Sequence, residues 1–409
     1  MNRRVVITGT GTISPIGNST DIFWKNICSG VSGIDYVTLF DTTDFPTKIG
    51  GEVKNFNPED FINKKDARRM DRFCQFALAA SKEAVEQSKL DIKSIEDRVG
   101  VIIGCGIGGF SIIENQHSIM LEKGVNRVSP FTIPMIIPNI AAGYVAIHFG
   151  AKGANMCITT ACASAANAIG EAFRLIVNDD ADVMITGGTE SAITPLSYAG
   201  FCSAKAMSTN NENPREASRP FDLNRDGFVM GEGAGIIILE ELEHALNRGA
   251  DIISEIVGYG MSCDAYHITS PDPEGKGVEK SMLKALKNAN ITHENIDYIN
   301  AHGTSTELND KTESLAIKRV FGNKIIVSST KSMTGHLLGA SGGIEAIISS
   351  LALKNNIAPP TINYHESAPD CDLDYVANVS RKLEINYVLS NSLGFGGHNV
   401  SLIFKKYSS

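Results

Sequence analysis

The feature that most constrains this chain is an order of strand-then-turn units that runs through it twice. RRVVITGTG (3–11) holds a β-branched run that ends in glycine. RVGVIIGCGIGGF (98–110) is a strand and a glycine turn. MCITTACASAANAIGEAFRLIVNDD (156–180) is a strand, a tight turn and a long helix, and ADVMITGGTE (181–190) is again a strand and a turn. The same sequence of units follows at SEIVGYGMSCDAYH (254–267), IDYINAHGTST (296–306), IIVSSTKSMTGHLLGASGGIEAIISSLALK (325–354) and NYVLSNSLGFGGHN (386–399). Helical spacing marks 61–88, 139–150 and 277–289, and the first half carries an extra segment at about 110–138. Strands alternating with helices predict an α/β fold whose central sheets are covered by helices. A length of 409 residues exceeds what one core usually serves. The expected organisation is therefore a duplicated unit, with halves at 1–250 and 251–409.

Acidic residues outnumber basic ones, 46 to 37, for a net charge of −9. This disfavours nucleic acid as a partner, because phosphate binding needs a basic surface. No run reaches the ~18–20 apolar residues of a membrane span, so no membrane association is expected. The eight cysteines are scattered, with no CxxC pair and no secretory signal. Reduced thiols and a cytoplasmic location are expected.

Chemistry concentrates at the strand ends. In ITTACASAA (158–166) a β-branched strand enters a small-residue turn that holds Cys162, and a helix follows. A thiol there faces the unpaired N–H groups of a helix N-terminus, which favour negative charge. Its pKa is expected below the ordinary value of about 8.5. The plain alternative is a small core hydrophobe. NAHGTST (300–306) puts His302 at a strand end before a hydroxyl-rich turn, and SSTKSMTGHLLGASGG (328–343) puts Lys331 and His336 in a similar loop. One cysteine with two such histidines fits covalent acyl transfer and stabilisation of an enolate. A zinc site built from the three is the competing reading, but the spacing matches none of the short zinc ligand pairs. No metal is expected.

GTGTIS (9–14) lacks the third glycine of a dinucleotide fingerprint. GIGG (106–109) and GFGGHN (394–399) are strand-end turns, and in the second the amide of Phe395 is placed to point at a reacting carbonyl. The polar stretch 203–228 is long for a loop within a compact unit and is expected to cover a site. Lys64, Lys65, Arg68, Arg69 and Arg72 recur at helical spacing opposite Phe73, Phe76 and Ala77. They form either a solvated face or a dock for an acidic protein.

These motifs resemble the β-ketoacyl-acyl-carrier-protein synthases, in particular their elongating type II members. TTACASA, NAHGTST, SSTKSMTGHLLGASG and NSLGFGGHN carry the resemblance, with SRPFD (218–222), DGFVMGEGAG (226–235) and DAYHITSP (264–271) in support. The resemblance spans essentially the whole chain. It implies a thiolase-like duplicated fold, five-layered α-β-α-β-α with mixed central sheets, and a homodimer. It implies fatty-acid chain elongation, in which acyl carrier protein delivers an acyl chain to Cys162 and a malonyl group to the same site. His302 and His336 would stabilise the enolate formed as CO₂ leaves, and the amides of Cys162 and Phe395 would form the oxyanion hole. Lys331 and Glu313 would be the charged pair behind the histidines. Thr269, Thr304 and Thr306 would line the phosphopantetheine tunnel, Phe395 would gate it, and Ile107 would limit acyl length. Lys64, Lys65, Arg68 and Arg69 would receive the carrier. No cofactor is implied, since phosphopantetheine arrives on the carrier. Glu307 departs from the family pattern, which often has proline there. A thiolase would carry a second cysteine late in the chain, where GFGGHN stands. A dissociated polyketide synthase shares the cysteine and both histidines and stays open.

Overall fold

A computed structural model of the chain describes residues 3–408. Ten strands form one continuous mixed sheet. In the first half they are β1 (Val5–Ile13), β2 (Val99–Gly104), β3 (Asn155–Ile158), β4 (Val183–Glu190) and β5 (Gly233–Glu241). In the second they are β6 (Ser254–Cys263), β7 (Tyr298–Asn300), β8 (Ile326–Ser328), β9 (Tyr387–Gly394) and β10 (His398–Lys405). The spatial order is β3-β2-β4-β5-β1 and then, beside β1, β6-β10-β9-β7-β8. Read outward-in, the two halves have the same order. They also share strand directions. The first three strands of each are mutually parallel, and the last two are antiparallel to their neighbours. The duplication that is faint in residue identity is complete in topology. The halves join where Val5–Ile7 of β1 pairs antiparallel with Ser254–Ile256 of β6.

The helices that order the layers are α1 (Arg72–Ser88), α2 (Phe110–Lys123), α3 (Ile140–Phe149), α4 (Ser164–Val177), α5 (Lys276–Ala289), α6 (Glu307–Phe321) and α7 (Ser341–Asn355). Helices α1 and α3 cover the outer face of the first five strands. Helix α5 packs on the outer face of the second five, with α6 beside it. Helices α4 and α7 lie between, touching strands of both halves. This is the five-layered arrangement. The two faces of β5 show why its sequence is almost continuously apolar. Ile236 and Ile238 enter the outer core with α1, while Ile237 and Leu239 enter the central core with α4 and α7. A strand buried on both faces has no reason to alternate polar and apolar residues.

The expected helix over 61–88 is broken. A short turn of helix at Lys64–Ala67 ends at Arg68, and α1 starts afresh behind Asp71, whose carboxylate accepts from Phe73 N. The single basic stripe therefore does not exist. Lys64, Lys65 and Arg68 are exposed on the short turn. Arg69 stacks over the Phe131 ring at 4.6 Å. Arg72 turns inward, pairs with the fully buried Glu232 at 2.8 Å and stacks on Phe76. The local signal that sequence periodicity overrode is Asp71, a capping residue inside the supposed helix. All eight cysteines are free thiols. Among the described residues no helix is long and apolar enough to cross a membrane.

Strand β1 meets α1 at unusually close range. A Cβ on Gly11 would overlap the Ala80 carbonyl oxygen, which is backbone and has no rotamer to yield. Gly11→Ala is expected to cost about 1–3 kcal/mol by overpacking. This is checked as a lowered urea midpoint at unchanged slope, and an unchanged midpoint contradicts the packing.

Candidate active site

The site is assembled from equivalent positions of the two repeats. Ile107 follows β2, Cys162 follows β3, and Glu190 ends β4. His302 follows β7, His336 follows β8, and the Gly394–Gly397 turn follows β9. These are the C-terminal ends of the parallel strands of each half, where α/β sheets open onto ligand crevices. A cavity of about 590 Å³ lies there. Its lining includes Cys162, His302, His336, Ile107, Thr269, Thr304, Thr306 and Phe395 together. Residues 204–206 and 225–228 also line it, so the long polar stretch does cover the site.

Each of the three reactive side chains lies within three residues of a non-glycine residue at positive φ. Ala161 has φ +51°, Ser305 φ +70° and Leu338 φ +47°. Such strain persists where surrounding structure over-determines the backbone. Ahead of α4, Thr160 N donates to Ser164 Oγ at 2.9 Å, and Ser164 Oγ donates to Ala161 O at 2.6 Å. A Cβ on Gly394 would lie 3.2 Å from Cys162 N, so the 394–397 turn packs directly on the nucleophile turn.

The His302 loop hangs on two buried carboxylates. Glu313 accepts from His302 N and Gly303 N, both at 2.8 Å, and from Asn391 Nδ2 at 3.2 Å. Asp310 accepts from Thr304 N at 2.9 Å, Ser305 N at 3.1 Å and Phe221 N at 2.9 Å. Glu313 is therefore not the partner of Lys331. That partner is Glu345, one helical turn into α7, and both side chains are buried. The pairing with Glu313 fails because the Glu313 carboxylate is already committed to backbone amides. The visible signal for Glu345 was a lone carboxylate in the small-and-apolar run ASGGIEAIISS, since a buried charge needs a counter-charge.

Lys331 Nζ also donates to His302 O at 2.6 Å and lies 3.4 Å from His302 Nδ1. An ammonium has donors only, so His302 Nδ1 is the acceptor, and the ring proton sits on Nε2, the nitrogen left for the cavity. His336 Nδ1 lies 2.9 Å from Ser341 Oγ. The two imidazoles stand edge to face with centroids 5.2 Å apart. Burial, then the Lys331 charge, holds both histidines well below the ordinary value of 6.5; their mutual repulsion adds to this for His302. Both rings are thus neutral near pH 7 and can donate from a nitrogen without carrying charge.

Cys162 departs from expectation. Burial pushes its thiol up to about 12, against the pull of Lys331 and with a smaller push from Glu190. The side chain packs against an apolar cluster that includes Phe228 and Leu338, and desolvation outweighs the helix N-terminus. The resting nucleophile is a thiol and needs a base.

Carrier-docking candidates Lys64, Lys65, Arg68 and Arg69 lie outside the cavity lining. Glu307 lies in the lining as the first residue of α6, exposed. Glutamate and proline both suit the first turn of a helix, so this departure leaves the local backbone intact. Sequence reasoning missed Glu190, Phe201, Phe228 and Leu338, all in the lining. The apolar three carried no pattern apart from the core.

The family model "Beta-ketoacyl synthase, N-terminal domain" matches residues 2–245, and "Beta-ketoacyl synthase, C-terminal domain" matches residues 253–365. The chain is 56% identical over 409 residues to 3-oxoacyl-[acyl-carrier-protein] synthase 2 of Synechocystis sp., covering 99% of this chain and 98% of that protein. It is 54% identical over 412 residues to the protein of the same name from Staphylococcus aureus, covering 100% and 99%. Among solved structures, a β-ketoacyl synthase from Burkholderia phymatum superposes with a TM-score of 0.93 at 36% identity, over 99% of this chain and 100% of that one. A type II polyketide ketosynthase in complex with its acyl-carrier protein superposes with a TM-score of 0.92 at 35% identity, over the full length of both chains. With both halves matched in order and the reactive residues gathered in one cavity, the chain belongs to the β-ketoacyl synthase family.

Proposed function

We propose that this chain catalyses the decarboxylative condensation of an acyl group, held on Cys162, with malonyl-acyl-carrier protein. The products are 3-oxoacyl-carrier protein and CO₂, in fatty-acid chain elongation. The observation that carries the reading is one cavity lined by a cysteine and two neutral imidazoles, with the Lys331–Glu345 pair buried behind one of them.

The first half-reaction is a thioester exchange. Cys162 attacks the acyl thioester carbonyl and its proton passes to a neutral imidazole. The tetrahedral oxyanion is held by the amides of Cys162 and Phe395. Its collapse expels the carrier's phosphopantetheine thiolate, which takes the proton back. In the second half-reaction the malonyl carboxylate leaves as CO₂, and its bonding pair becomes an enolate. His302, donating from Nε2, and His336 stabilise the enolate oxygen by hydrogen bonds, and neutral donors suffice. The enolate carbon then attacks the acyl-Cys162 carbonyl, and the C–S bond breaks to return the thiolate, which takes up the one proton the condensation consumes from solvent. Lys331 orients His302 and fixes its tautomer; Glu313 and Asp310 hold the loop that carries it. Thr269, Thr304 and Thr306 would bind the phosphopantetheine arm, and the 3-oxoacyl-[acyl-carrier-protein] synthases among the relatives support acyl carrier protein as the partner. Lys64, Lys65, Arg68 and Arg69 would receive its acidic surface.

A homodimer fits the first half's exposed apolar surface. Leu121, Ile133 and Ile147 are 66–80% exposed, and Met156 stands on the unpaired edge of β3. Such a patch marks an association surface. The location proposed is the cytoplasm, where the thiols stay reduced.

Cys162→Ala is expected to abolish acylation by acyl-carrier protein in intact-mass measurements, and acylation persisting at another cysteine contradicts the assignment. Cys162→Gln is expected to keep releasing CO₂ from malonyl-carrier protein. Because both rings are held neutral, that CO₂ release should stay flat from about pH 8 down to about pH 6, whereas an ordinary histidine near 6.5 would be mostly charged at the lower end. A half-loss near pH 6.5 contradicts the neutral pair. Lys65→Glu should raise the carrier-protein KM several-fold at nearly constant kcat, whereas Arg72→Glu should lower stability, since it strands Glu232. An unchanged KM for Lys65→Glu removes the docking surface.

A further inference from the structure

Glu190 is the last residue of β4 and is fully buried. Its carboxylate accepts from Gly106 N at 2.8 Å and Ile107 N at 3.1 Å, on the segment that forms the acyl-pocket wall. It also accepts from Gly339 N at 3.1 Å, three residues beyond His336, and from the Cys105 thiol at 3.4 Å. The hydrogen bonds at this carboxylate come from amides and a thiol, not from a cation. The two segments can share it because both offer glycine. A Cβ on Gly106 would lie 2.7 Å from Glu190 Oε2, and one on Gly339 would lie 2.6 Å from the same atom. Glu190, Gly106, Ile107, His336 and Gly339 all line the cavity.

We propose that Glu190 is a positioning residue that sets acyl-chain length by clamping the Gly106–Ile107 wall to the loop carrying His336. The proposal rests on the reading that Cys162 is acylated. A chain long enough to press on Ile107 must move that wall. Moving it breaks hydrogen bonds from backbone amides to a fully buried carboxylate, and a buried acceptor left short of donors is costly. Length selectivity then comes from the stiffness of this anchor as well as from the volume of the Ile107 side chain. Since Gly106 and Gly339 share one oxygen, a displaced wall also loosens the loop that holds His336. The long-chain acyl-enzyme thereby presents an altered His336 loop to the incoming malonyl group.

The test compares acylation of Cys162 by hexanoyl- and palmitoyl-carrier protein in the wild type and in Glu190→Gln. The glutamine keeps the volume but turns an N–H₂ toward donors. The expected result is a palmitoyl-to-hexanoyl ratio of kcat/KM raised roughly fivefold or more. An equal change for both chains means a merely structural residue and overturns the proposal. Hydrogen exchange on the wild-type acyl-enzymes needs no variant. The palmitoyl form should exchange faster in both the 104–110 and 335–340 segments, and the hexanoyl form in neither. Exchange that changes in one segment alone overturns the shared clamp, whether or not Glu190→Gln folds. A wild-type chain that takes up neither acyl group would sink the underlying assignment of Cys162, and this proposal with it.

Discussion

An ammonium buried at 2% exposure governs the chemistry of this molecule. Lys331 could not stay charged there alone, because desolvation of an isolated cation costs several kcal/mol. Glu345 supplies the counter-charge and His302 O a further acceptor. The arrangement has two consequences. It keeps the neighbouring imidazoles neutral, since a second positive charge in the same dry volume is strongly disfavoured. It also assigns the tautomer of His302 without any acid side chain touching the ring. A histidine with a carboxylate at Nδ1 would be drawn toward the imidazolium, whereas a lysine there holds it as a neutral donor.

The same economy recurs with other carboxylates. Glu313, Asp310 and Glu190 are each fully buried, and each accepts two or more backbone amides from a loop that carries or borders a reactive group. Burial raises all three; amides pull back Glu313 and Glu190, and Arg225 followed by amides pulls back Asp310. Loops held this way do not need secondary structure of their own, and their strained residues at 305 and 338 stay in place. The duplicated fold makes this possible by bringing the C-terminal ends of two sets of parallel strands to one crevice, with α4 and α7 packed between the two halves of the sheet. The backbones there are in near contact: a Cβ on Gly342 would lie 2.7 Å from Ala166 N, and one on Gly343 would lie 2.9 Å from Gly188 N. Part of the high glycine content is thus spent on the layer between the halves.

Much of this was legible in the residues themselves. The repeated strand-and-turn order foretold a doubled α/β unit, and the sheet repeats it strand for strand. Cys162, His302, His336 and Lys331 stand out because reactive side chain types recur at strand ends, where α/β sheets open onto ligand crevices. Three readings failed for physical reasons. The helix over 61–88 followed apolar spacing and ignored the Asp71 cap. The thiol at 162 was judged by the helix N-terminus, a local effect, whereas its burial is set by segments hundreds of residues away. The family resemblance pairs Lys331 with Glu313, whereas its actual partner Glu345 lies in a helix whose composition otherwise marks it as core. Long-range pairing of buried charges leaves no periodic trace, and neither does a clamp such as Glu190.

The central claim is that a neutral imidazole pair beside Lys331 shares its cavity with a protonated Cys162. Imidazole ¹⁵N chemical shifts, assigned by comparison with His302→Asn and His336→Asn, test it most directly. A protonated Nε2 and a bare, hydrogen-bonded Nδ1 are expected for His302, with no imidazolium signal from either ring at neutral pH. Two protonated nitrogens on either ring at neutral pH would contradict it.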